Sequence, residues 1–399
     1  MRNLTAIIAG AILMLAASAQ ASQKIVSFEA AYRNGKMVKS VERIGGKVTR
    51  QFRTIDALVA VFPDDVRNSS ISSLDGVTLV EEDATINWLE SSPLSMESVP
   101  LPTIEAALSM INSQESPVAV APASKPETDP EIPWGVKRVN AAGAWNLTEG
   151  AGVKVAIIDT GVDFTHPDLA ANYAGGYNTI ISTLPPMDDH GHGTHVAGSV
   201  AALRNAVGVA GVAPRAAIYG VKVLDKNGSG SYSNVMAGIE WAALNKIQVI
   251  NMSLGGGGYM ESMHKVIKAA YEAGVAIVCA AGNDSGAVNY PARYPQSIAV
   301  SASDSADRLA SFSSKGPEVA VIAPGVNIYS TRMGGGYRNM SGTSMACPHV
   351  AGLAALAIGA GATTPDAVKL ALTNAATPLP GLKPTDQGAG LVDAAKFGN

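Results

Sequence analysis

The chain has 399 residues, of which 47% are hydrophobic and 16% charged, and its formal net charge is −4. This length predicts two or three domains with a globular composition, and the charge, without any basic block, gives no reason to expect nucleic-acid binding. Whether its two cysteines, Cys279 and Cys347, form a pair is open in the sequence. Because each lies in an apolar stretch, we expect two buried free thiols.

The N-terminus has the pattern of a secretory signal peptide. Arg2 precedes an apolar run at residues 4–17, and the small residues at 17–21 provide a cleavage point. The run is short for a membrane span. A membrane anchor that is retained in the mature protein is the alternative to a cleaved signal peptide. We therefore expect a signal peptide at residues 1–21 and a secreted product that is not bound to a membrane after the signal is removed.

Residues 22–90 are predicted to form a small α+β domain with the ferredoxin-like order β-α-β-β-α-β. Residues 91–130 then change to Pro, Ser, Glu and Ala, the composition of a linker that is open to proteolysis. Apolar runs and helical spacing in the first segment predict strands at 24–31, 47–52, 57–62, 77–81 and 85–88, and helices at 35–44 and 64–74.

From residue 131 to residue 399, short apolar runs alternate with helical segments. This alternation predicts an α/β domain whose mostly parallel sheet is covered by helices on both faces. Ligands of such sheets bind outside the carboxyl ends of the strands, where Asp159, Gly255 and Asn283 occur. The predicted strands are 153–159, 217–223, 249–253, 276–280 and 319–323, and helices at 231–245 and 260–273 lie between them.

Three segments carry the residue types that acyl transfer requires. Asp159 ends an apolar strand, residues 188–198 contain three histidines and two aspartates, and Ser344 lies between a Gly-Thr turn and a helix start. A serine hydroxyl becomes a nucleophile when a histidine accepts its proton and a carboxylate orients that histidine. Taken singly, the segments also fit a turn aspartate, a metal site and a serine-capped helix. For the metal site, His192 and His195 could share a helical face, but the His-Glu-x-x-His motif of zinc metalloproteases is absent.

Together, these segments resemble the motifs of the subtilisin-type serine proteases, the subtilases. The matches are Ile-Asp-Thr-Gly at 158–161, His-Gly-Thr-His-Val-Ala-Gly at 192–198 and Gly-Thr-Ser-Met-Ala at 342–346. The resemblance is close over residues 133–399 and extends more loosely to residues 24–90, which resemble the subtilase propeptide. It implies a three-layer subtilisin-like catalytic domain preceded by an inhibitory propeptide that assists folding.

The resemblance implies a role for each motif residue. Ser344 would be the nucleophile, His192 the general base and Asp159 the carboxylate that orients the base. On composition alone His190 and His195 rival His192, but the family motif places the base at the first histidine of His-Gly-Thr-His. Residues 280–283 resemble the oxyanion segment, so Asn283 would donate its side-chain amide to the tetrahedral oxyanion.

A substrate cleft is implied by further matches. Residues 228–230 and residues 253–255 would form two strand-like edges, and the substrate backbone would bind between them as an added strand. Asn289 stands where some subtilases have glycine, and Asp284 adds negative charge near the rim of the same pocket. We therefore expect broad specificity with less preference for the largest aromatic side chains before the cleaved bond. The implied substrate-binding residues are Gly228, Ser229, Gly230, Ser253, Leu254, Gly255, Ala280, Ala281, Gly282 and Asn289.

The resemblance also implies structural calcium, and no catalytic metal. Residues 203–209 resemble the subtilase calcium loop, and hard oxygen ligands of mixed type suit Ca²⁺. The family commonly adds a glutamine near the mature N-terminus, where this chain has residues 129–131, so Asp129 or Glu131 would substitute or a ligand would be missing. The implied ligands are the Asp168 carboxylate, the Asn205 side-chain oxygen and the carbonyls of Leu203, Val207 and Val209.

The sequence thus predicts a secreted, monomeric serine endopeptidase that cuts polypeptides and is made as an autoprocessed zymogen. Its own propeptide at 22–90 would be an intramolecular inhibitor, and its catalytic domain would span 131–399. A catalytically silent binding protein on the same fold and a metalloprotease are the alternatives. Cys347 lies about one helical turn after Ser344, and the sequence gives no reason for it.

Overall fold

The computed structural model describes residues 22–89 and 130–398. The predicted signal peptide, nearly all of the predicted linker and Asp129 lie outside these residues. The chain divides into two compact units. The N-terminal unit contains the described residues 22–51 and 56–83, and the C-terminal unit contains residues 52–55, 84–89 and 130–398. In neither unit do the described residues include a helix with the length and hydropathy needed to cross a bilayer.

The N-terminal unit is an antiparallel sheet packed against two helices around a core that includes Val26, Met37 and Phe62. The strand order β2-β3-β1-β4 is the predicted ferredoxin-like one. The second helix is shorter than predicted, because residues 63–66 form a turn in which the Val66 N–H donates to the Pro63 carbonyl. The elements are β1 (Ser22–Phe28), α1 (Lys36–Arg43), β2 (Lys47–Gln51), β3 (Ala57–Phe62), α2 (Asn68–Ser72) and β4 (Val77–Glu82).

The C-terminal unit alternates strands and helices, as the sequence predicts. Its elements are β5 (Thr85–Asn87), α3 (Trp134–Arg138), α4 (Ala141–Ala144), β6 (Lys154–Asp159), β7 (Tyr173–Asn178), α5 (His192–Ala201), β8 (Ala217–Lys222), β9 (Ser229–Ser231), α6 (Tyr232–Leu244), β10 (Val249–Met252), α7 (Glu261–Glu272), β11 (Ala276–Ala280), β12 (Ser297–Ser303), β13 (Val319–Pro324), β14 (Ile328–Arg332), β15 (Gly336–Met340), α8 (Thr343–Gly359), α9 (Pro365–Ala375), β16 (Ala376–Thr377), α10 (Pro384–Gln387) and β17 (Leu391–Val392).

The large sheet of this unit has the order β16-β17-β13-β12-β11-β10-β6-β8-β7 over the part of the chain that the structure describes. Its strands pair in parallel from β17 to β7, and only β16 is antiparallel to its neighbour. Strands β10 and β11 are buried along their whole length because helices flank the sheet. The predicted α/β fold with a mostly parallel sheet is confirmed.

The sheet order explains why distant motif residues meet. Strands β6, β10 and β11 are neighbours and run in the same direction, so their carboxyl ends share one edge of the sheet. Asp159 is the last residue of β6, Ser253 follows β10 directly, and Asn283 comes three residues after β11. Side chains from three segments far apart in sequence therefore converge at this edge.

Two helices begin at the same region of the unit. Helix α5 starts at His192 after Gly191, whose φ of 95° is in the left-handed region, and helix α8 starts at Thr343 after Gly342, whose φ is 155°. Every residue of α8 from Thr343 to Ala357 is buried, which suits its run of alanines and glycines. The predicted helix start at Ser344 is confirmed.

Candidate active site

Asp159 and His192 form a hydrogen-bonded pair in the interior of the C-terminal unit. His192 Nδ1 lies 2.8 Å from Asp159 Oδ1 and 3.0 Å from Oδ2, and the two side chains are 1% and 0% exposed. Because a carboxylate only accepts hydrogen bonds, Nδ1 carries the proton and Nε2 is left as the basic nitrogen. Nε2 is buried and has no hydrogen-bond partner among the described residues.

A second buried carboxylate, Asp188, fixes the loop that carries His192. It accepts hydrogen bonds from the backbone N–H groups of His190, Gly191 and Thr194 and from the hydroxyls of Thr160 and Thr194. Burial by itself would raise the pKa of Asp188, but these hydrogen bonds outweigh it and lower the pKa. Asp188 therefore remains a carboxylate and holds the start of α5 in place.

The two rival histidines lie in different surroundings. His195 Nε2 contacts the Ile328 and Arg338 carbonyls at 3.0 and 3.1 Å, and burial lowers its pKa to about 3. His195 is thus a neutral residue that joins α5 to the β14–β15 hairpin. His190 is half-buried, and burial together with the nearby His192 lowers its pKa. Neither of them has the hydrogen bond to Asp159 that His192 makes.

Ser344 occupies the first turn of α8. Its hydroxyl donates to the Ser253 carbonyl at 3.1 Å, and the side chain is 3% exposed. The hydroxyl of Ser253 in turn donates to the Ser344 carbonyl at 2.8 Å. This reciprocal pair joins the nucleophile candidate to the carboxyl end of β10.

Asn283 is oriented by Thr343, the residue before Ser344. The Asn283 Oδ1 accepts from the Thr343 backbone N–H at 2.7 Å and from the Thr343 hydroxyl at 2.9 Å. Because the oxygen end of the amide is held in this way, the amide NH₂ group points away from Thr343. The Thr343 hydroxyl also accepts from the Gly282 N–H at 3.2 Å, so it connects the segment after β11 to the start of α8.

The two predicted substrate-binding edges are in contact with residues 84–89 of the same unit. Strand β5 pairs antiparallel with β9, with Ile86 opposite Gly230. The Trp88 N–H then donates to the Gly228 carbonyl at 3.0 Å, and the Gly255 N–H donates to the Trp88 carbonyl at 3.2 Å. Strand β5 therefore adds to β9 and not to the sheet of the N-terminal unit, although the sequence pattern of 77–88 does not separate the two.

Side chains complete this contact. The Trp88 indole N–H donates to the Gly230 carbonyl at 2.9 Å, and its ring packs edge-on against Tyr232. A Cβ atom at Gly228, whose φ is 74°, would lie 3.0 Å from Leu89 Cδ1. Glycine at 228 thus lets another segment approach the edge closely.

The predicted pocket residues lie at the carboxyl end of β11 and in the loop that follows it. Ala280 and Ala281 are buried, and the Asn289 N–H donates to the Ala281 carbonyl at 2.8 Å. A Cβ atom at Gly282 would lie 2.6 Å from Asn289 Nδ2, so the amide is directly beside Gly282. Asn289 Nδ2 also reaches Asp284 Oδ2 at 3.4 Å. Burial opposes ionisation of Asp284, but hydrogen bonds from Ser314, Gly286 and Asn289 lower its pKa.

Among the predicted calcium ligands, Asp168 has a carboxylate of which only one oxygen is hydrogen-bonded to the described residues. Asp168 is fully buried, and its Oδ2 accepts from the Val209 N–H at 3.0 Å and the Tyr337 hydroxyl at 2.9 Å. Its Oδ1 is buried without a hydrogen-bond partner in the described structure. A buried carboxylate oxygen without a hydrogen-bond donor fits a cation. Asn205 is folded back within the loop, where its Oδ1 accepts from the Val207 N–H at 2.8 Å.

The loop is also hydrogen-bonded to Glu131, where the predicted catalytic domain begins. The Glu131 N–H donates to the Gly208 carbonyl, and the Ala210 N–H donates to the Glu131 carbonyl. Glu131 is exposed and contacts the loop through its main chain. Residues 22–89 and 130–398 contain no group of three or more His, Cys, Asp or Glu side chains that is arranged to hold a metal ion.

Both cysteines are free and buried, as the sequence predicts. Burial raises the pKa of Cys279 to about 12 and also raises that of Cys347. Neither thiol is therefore ionised near neutral pH, which is inconsistent with a reactive thiolate. The Cys347 Sγ lies 3.8 Å from the Met252 carbonyl, on the β10 side of α8.

Several contributing residues escape sequence reasoning. Asp188 stands in the histidine-rich segment, where its signal is the same as that of a metal ligand. Thr343 belongs to the Gly-Thr-Ser motif without any sign of its contact with Asn283. Glu240 on α6 accepts from the Arg53 and Thr54 N–H groups at 2.6 and 2.8 Å, and no local pattern marks it.

Known proteins resemble this chain over most of its length. The profile of the Subtilase family matches residues 150–397. Subtilisin amylosacchariticus of Bacillus subtilis subsp. amylosacchariticus is 39% identical over 356 residues, which are 85% of this chain and 82% of that protein. A subtilisin of Bacillus pumilus is 50% identical over 232 residues, 56% of this chain and 84% of that protein. An alkaline protease of Alkalihalobacillus alcalophilus is 44% identical over 283 residues, which are 70% of this chain and 71% of that protein.

Proposed function

The chain belongs to the subtilase family as a subtilisin-type serine endopeptidase, and we propose that Ser344 is its nucleophile, His192 its general base and Asp159 the carboxylate that orients the base. The observation that carries this assignment is the buried Asp159–His192 hydrogen bond, which leaves Nε2 as an unpaired base. With the proton held on Nδ1, Nε2 is the only nitrogen of His192 able to accept a proton.

In the proposed reaction, the Ser344 Oγ attacks the carbonyl carbon of the scissile peptide bond while its proton moves to His192 Nε2. The C–N bond then breaks, and Nε2–H gives this proton to the leaving amine. A water molecule attacks the resulting ester in the same way and releases the acid and Ser344. Asp159 stabilises the imidazolium that forms in each half of the reaction, and it holds the proton on Nδ1.

The tetrahedral oxyanion would be stabilised by two donors. These are the side-chain NH₂ of Asn283 and the backbone N–H of Ser344, which lies in the first turn of α8. The contacts of Thr343 with the Asn283 oxygen support this role, because they orient the amide before the substrate arrives. Donors that are already in place cost no reorganisation when the charge develops.

Labelling of the matured enzyme by a serine-directed fluorophosphonate tests this assignment. We expect a single adduct on Ser344, no adduct in Ser344→Ala, and full labelling in the Cys347→Ala control. Peptide mapping of the adduct locates it. An adduct elsewhere, or full proteolysis by Ser344→Ala, would contradict the assignment, and proteolysis that a chelator abolishes in an unlabelled protein would favour a metalloprotease.

We also propose that residues 1–21 direct secretion and that residues 22–90 form an inhibitory propeptide. The main support is that residues 84–89 form hydrogen bonds with both predicted substrate-binding edges. Strand β5 pairs with β9, and the Gly255 N–H donates to the Trp88 carbonyl. A segment with these hydrogen bonds excludes a substrate strand from the same edges. Cleavage after this segment, between about residues 89 and 130, would separate it from the enzyme. N-terminal sequencing of the active form gives the cleavage point, and an active form that begins before residue 84 would contradict the proposal.

Structural calcium is proposed at Asp168, with Asn205 and the carbonyls of Leu203, Val207 and Val209 as the other ligands. The support is the orphaned Asp168 Oδ1. Calcium there would bind the folded state only and so raise the melting temperature with concentration. We expect EDTA to lower the Tm of the wild type but not that of Asp168→Asn. Asp188→Asn, which loses a different buried carboxylate, is the control, and EDTA should lower its Tm. An equal Tm with and without calcium in the wild type would contradict the site.

For specificity, we propose that Asn289 narrows and polarises the pocket for the side chain before the cleaved bond. Its amide lies directly against Gly282 and is held by Asp284. Rates on peptides that vary only at this position test the proposal. We expect Asn289→Gly to raise kcat/KM for Phe and Tyr relative to Ala, and a strong preference of the wild type for Phe or Tyr would contradict it.

A further inference from the structure

The first turn of α8 contains a carbonyl that its own helix cannot satisfy. In an α-helix the carbonyl of residue i accepts from the N–H of residue i+4. For Ser344 that residue is Pro348, which lies inside α8 and has no N–H. The Ser344 carbonyl is buried with the rest of this turn, so without another donor it would be a costly unpaired acceptor.

Ser253 supplies the missing donor. Its hydroxyl lies 2.8 Å from the Ser344 carbonyl, and Ser253 itself is fully buried. The hydroxyl accepts in turn from Asn251 Nδ2 at 2.9 Å, which leaves its single proton for Ser344. The Asn251–Ser253 chain thus ends on the main chain of the nucleophile.

We propose that the Ser253 hydroxyl is a positioning group for the nucleophile, which replaces the backbone donor that Pro348 removes and so fixes the first turn of α8. The proposal rests on the assignment of Ser344 as the nucleophile. The Ser344 main chain carries both the attacking Oγ and an oxyanion N–H, so one hydrogen bond would set the position of two catalytic groups. Small displacements of such groups have large effects on rate.

Cys347 fits the same arrangement. It precedes Pro348, and its thiol is within hydrogen-bond reach of the Ser253 hydroxyl as well as the Met252 carbonyl. Cys347 is fully buried, and its thiol lies on the β10 side of α8. This gives Cys347 a packing role beside the positioning group, one helical turn from the nucleophile.

A double-mutant cycle on the matured enzyme tests the proposal. The variants are Ser253→Ala, Pro348→Ala and the double variant, with Ser301→Ala as the control. Ser301, in β12, is fully buried like Ser253, and its hydroxyl donates to the Asp386 carbonyl at 2.6 Å. The measurements are kcat and KM on a peptide substrate and the rate constant of inactivation by a fluorophosphonate.

We expect Ser253→Ala to lower kcat and the inactivation rate by about tenfold, with KM within about twofold because its backbone carbonyl is kept. In the Pro348→Ala background, the restored N–H donates to the Ser344 carbonyl, so the effect of Ser253→Ala should shrink to about threefold or less. Ser301→Ala should change neither rate.

Three outcomes would overturn the proposal: a loss confined to KM, an equal loss from Ser301→Ala, or an undiminished effect in the Pro348→Ala background. If Pro348→Ala does not fold, equal inactivation rates for Ser253→Ala and Ser301→Ala overturn it, and a tenfold difference supports it. Failure of the wild type to be labelled at Ser344 would instead contradict the proposed function itself.

Discussion

The starts of α5 and α8 both carry a residue of the proposed triad, but they are held by groups of opposite kind. Around His192 at the start of α5, two buried carboxylates, Asp159 and Asp188, accept the hydrogen bonds. Around Ser344 at the start of α8, the neutral side chains of Asn283 and Ser253 hold the main chain of Thr343 and Ser344. Both starts follow a glycine with positive φ.

This difference matches the charges that the proposed reaction develops. His192 becomes a cation when it takes the serine proton, and a carboxylate beside it lowers the energy of that state. The substrate oxygen near Ser344 becomes an anion, which a carboxylate would destabilise and neutral N–H donors stabilise. The two helix starts are therefore not interchangeable, although each follows a glycine. Substitutions at each start should impair the enzyme in different ways.

The largest effect is expected from Asp159→Asn on the α5 side. The amide can present an N–H to Nδ1, which favours the tautomer with the proton on Nε2 and removes the base, so kcat should fall by about 10⁴-fold near neutral pH. Steady-state kinetics on a peptide substrate measures it. The control is Asp189→Asn, which removes a nearby but half-exposed carboxylate that pairs with Lys222. Equal losses in both variants would show that only the net charge matters.

A smaller effect is expected from Asn283→Leu on the α8 side. Removing the amide donor should lower kcat by about 100- to 1000-fold with little change in KM, a magnitude for which subtilisins are themselves the reference case. Unlike Asp159→Asn, this variant keeps its base, so the pH dependence of the remaining activity should stay that of the wild type. A loss that falls mainly on KM would mean that Asn283 binds the ground state of the substrate.

The smallest effect on activity is expected from Asp188→Asn, which acts on the loop and not on the reacting atoms. The native pKa of Asp188 is lowered, so its carboxylate stabilises the folded state above the unfolded pKa near 4, and this contribution is lost as pH falls through the native pKa. At pH 7 the variant should lose about 1–3 kcal/mol in the free energy of unfolding.

Denaturant unfolding of the fluorophosphonate-inactivated enzyme between pH 7 and pH 2 measures this loss. The difference between wild type and Asp188→Asn should be constant above about pH 5 and should shrink below pH 4. A stability difference that grows on acidification would mean that Asp188 is protonated in the folded state. Asp188 would then not be one of the carboxylates that hold the start of α5.

Much of the fold is readable from the sequence, because its signals are local. Apolar runs give the strands β6, β10 and β11 to within a few residues, and their parallel order follows from the helices between them. The pairing of Asp159 with His192 follows from a family motif and not from spacing. The helix start at Ser344 is visible because glycine and small residues precede a long apolar segment.

What the sequence does not reveal depends on contacts between distant segments. The pattern at 77–88 fits one continuous sheet, but β5 pairs with β9 because residues 228–230 present an open edge with two glycines. The contact of Ser253 with the Ser344 carbonyl has no local signal, since it requires the register of β10 against α8 and the missing N–H of Pro348. For Asp188, only the hydrogen bond from the Thr160 hydroxyl comes from a distant segment, and its other donors lie at residues 190–194.

If residues 22–90 are the proposed propeptide, the pairing of β5 with β9 would link activation to dilution. While both strands belong to one polypeptide, β5 would compete with substrate at an effective concentration of the order of millimolar. After cleavage beyond Leu89, the same hydrogen bonds would join two separate molecules, and their occupancy would fall as the volume around them grows. A protease released into a large external volume would then become active through dilution alone, with every contact residue unchanged.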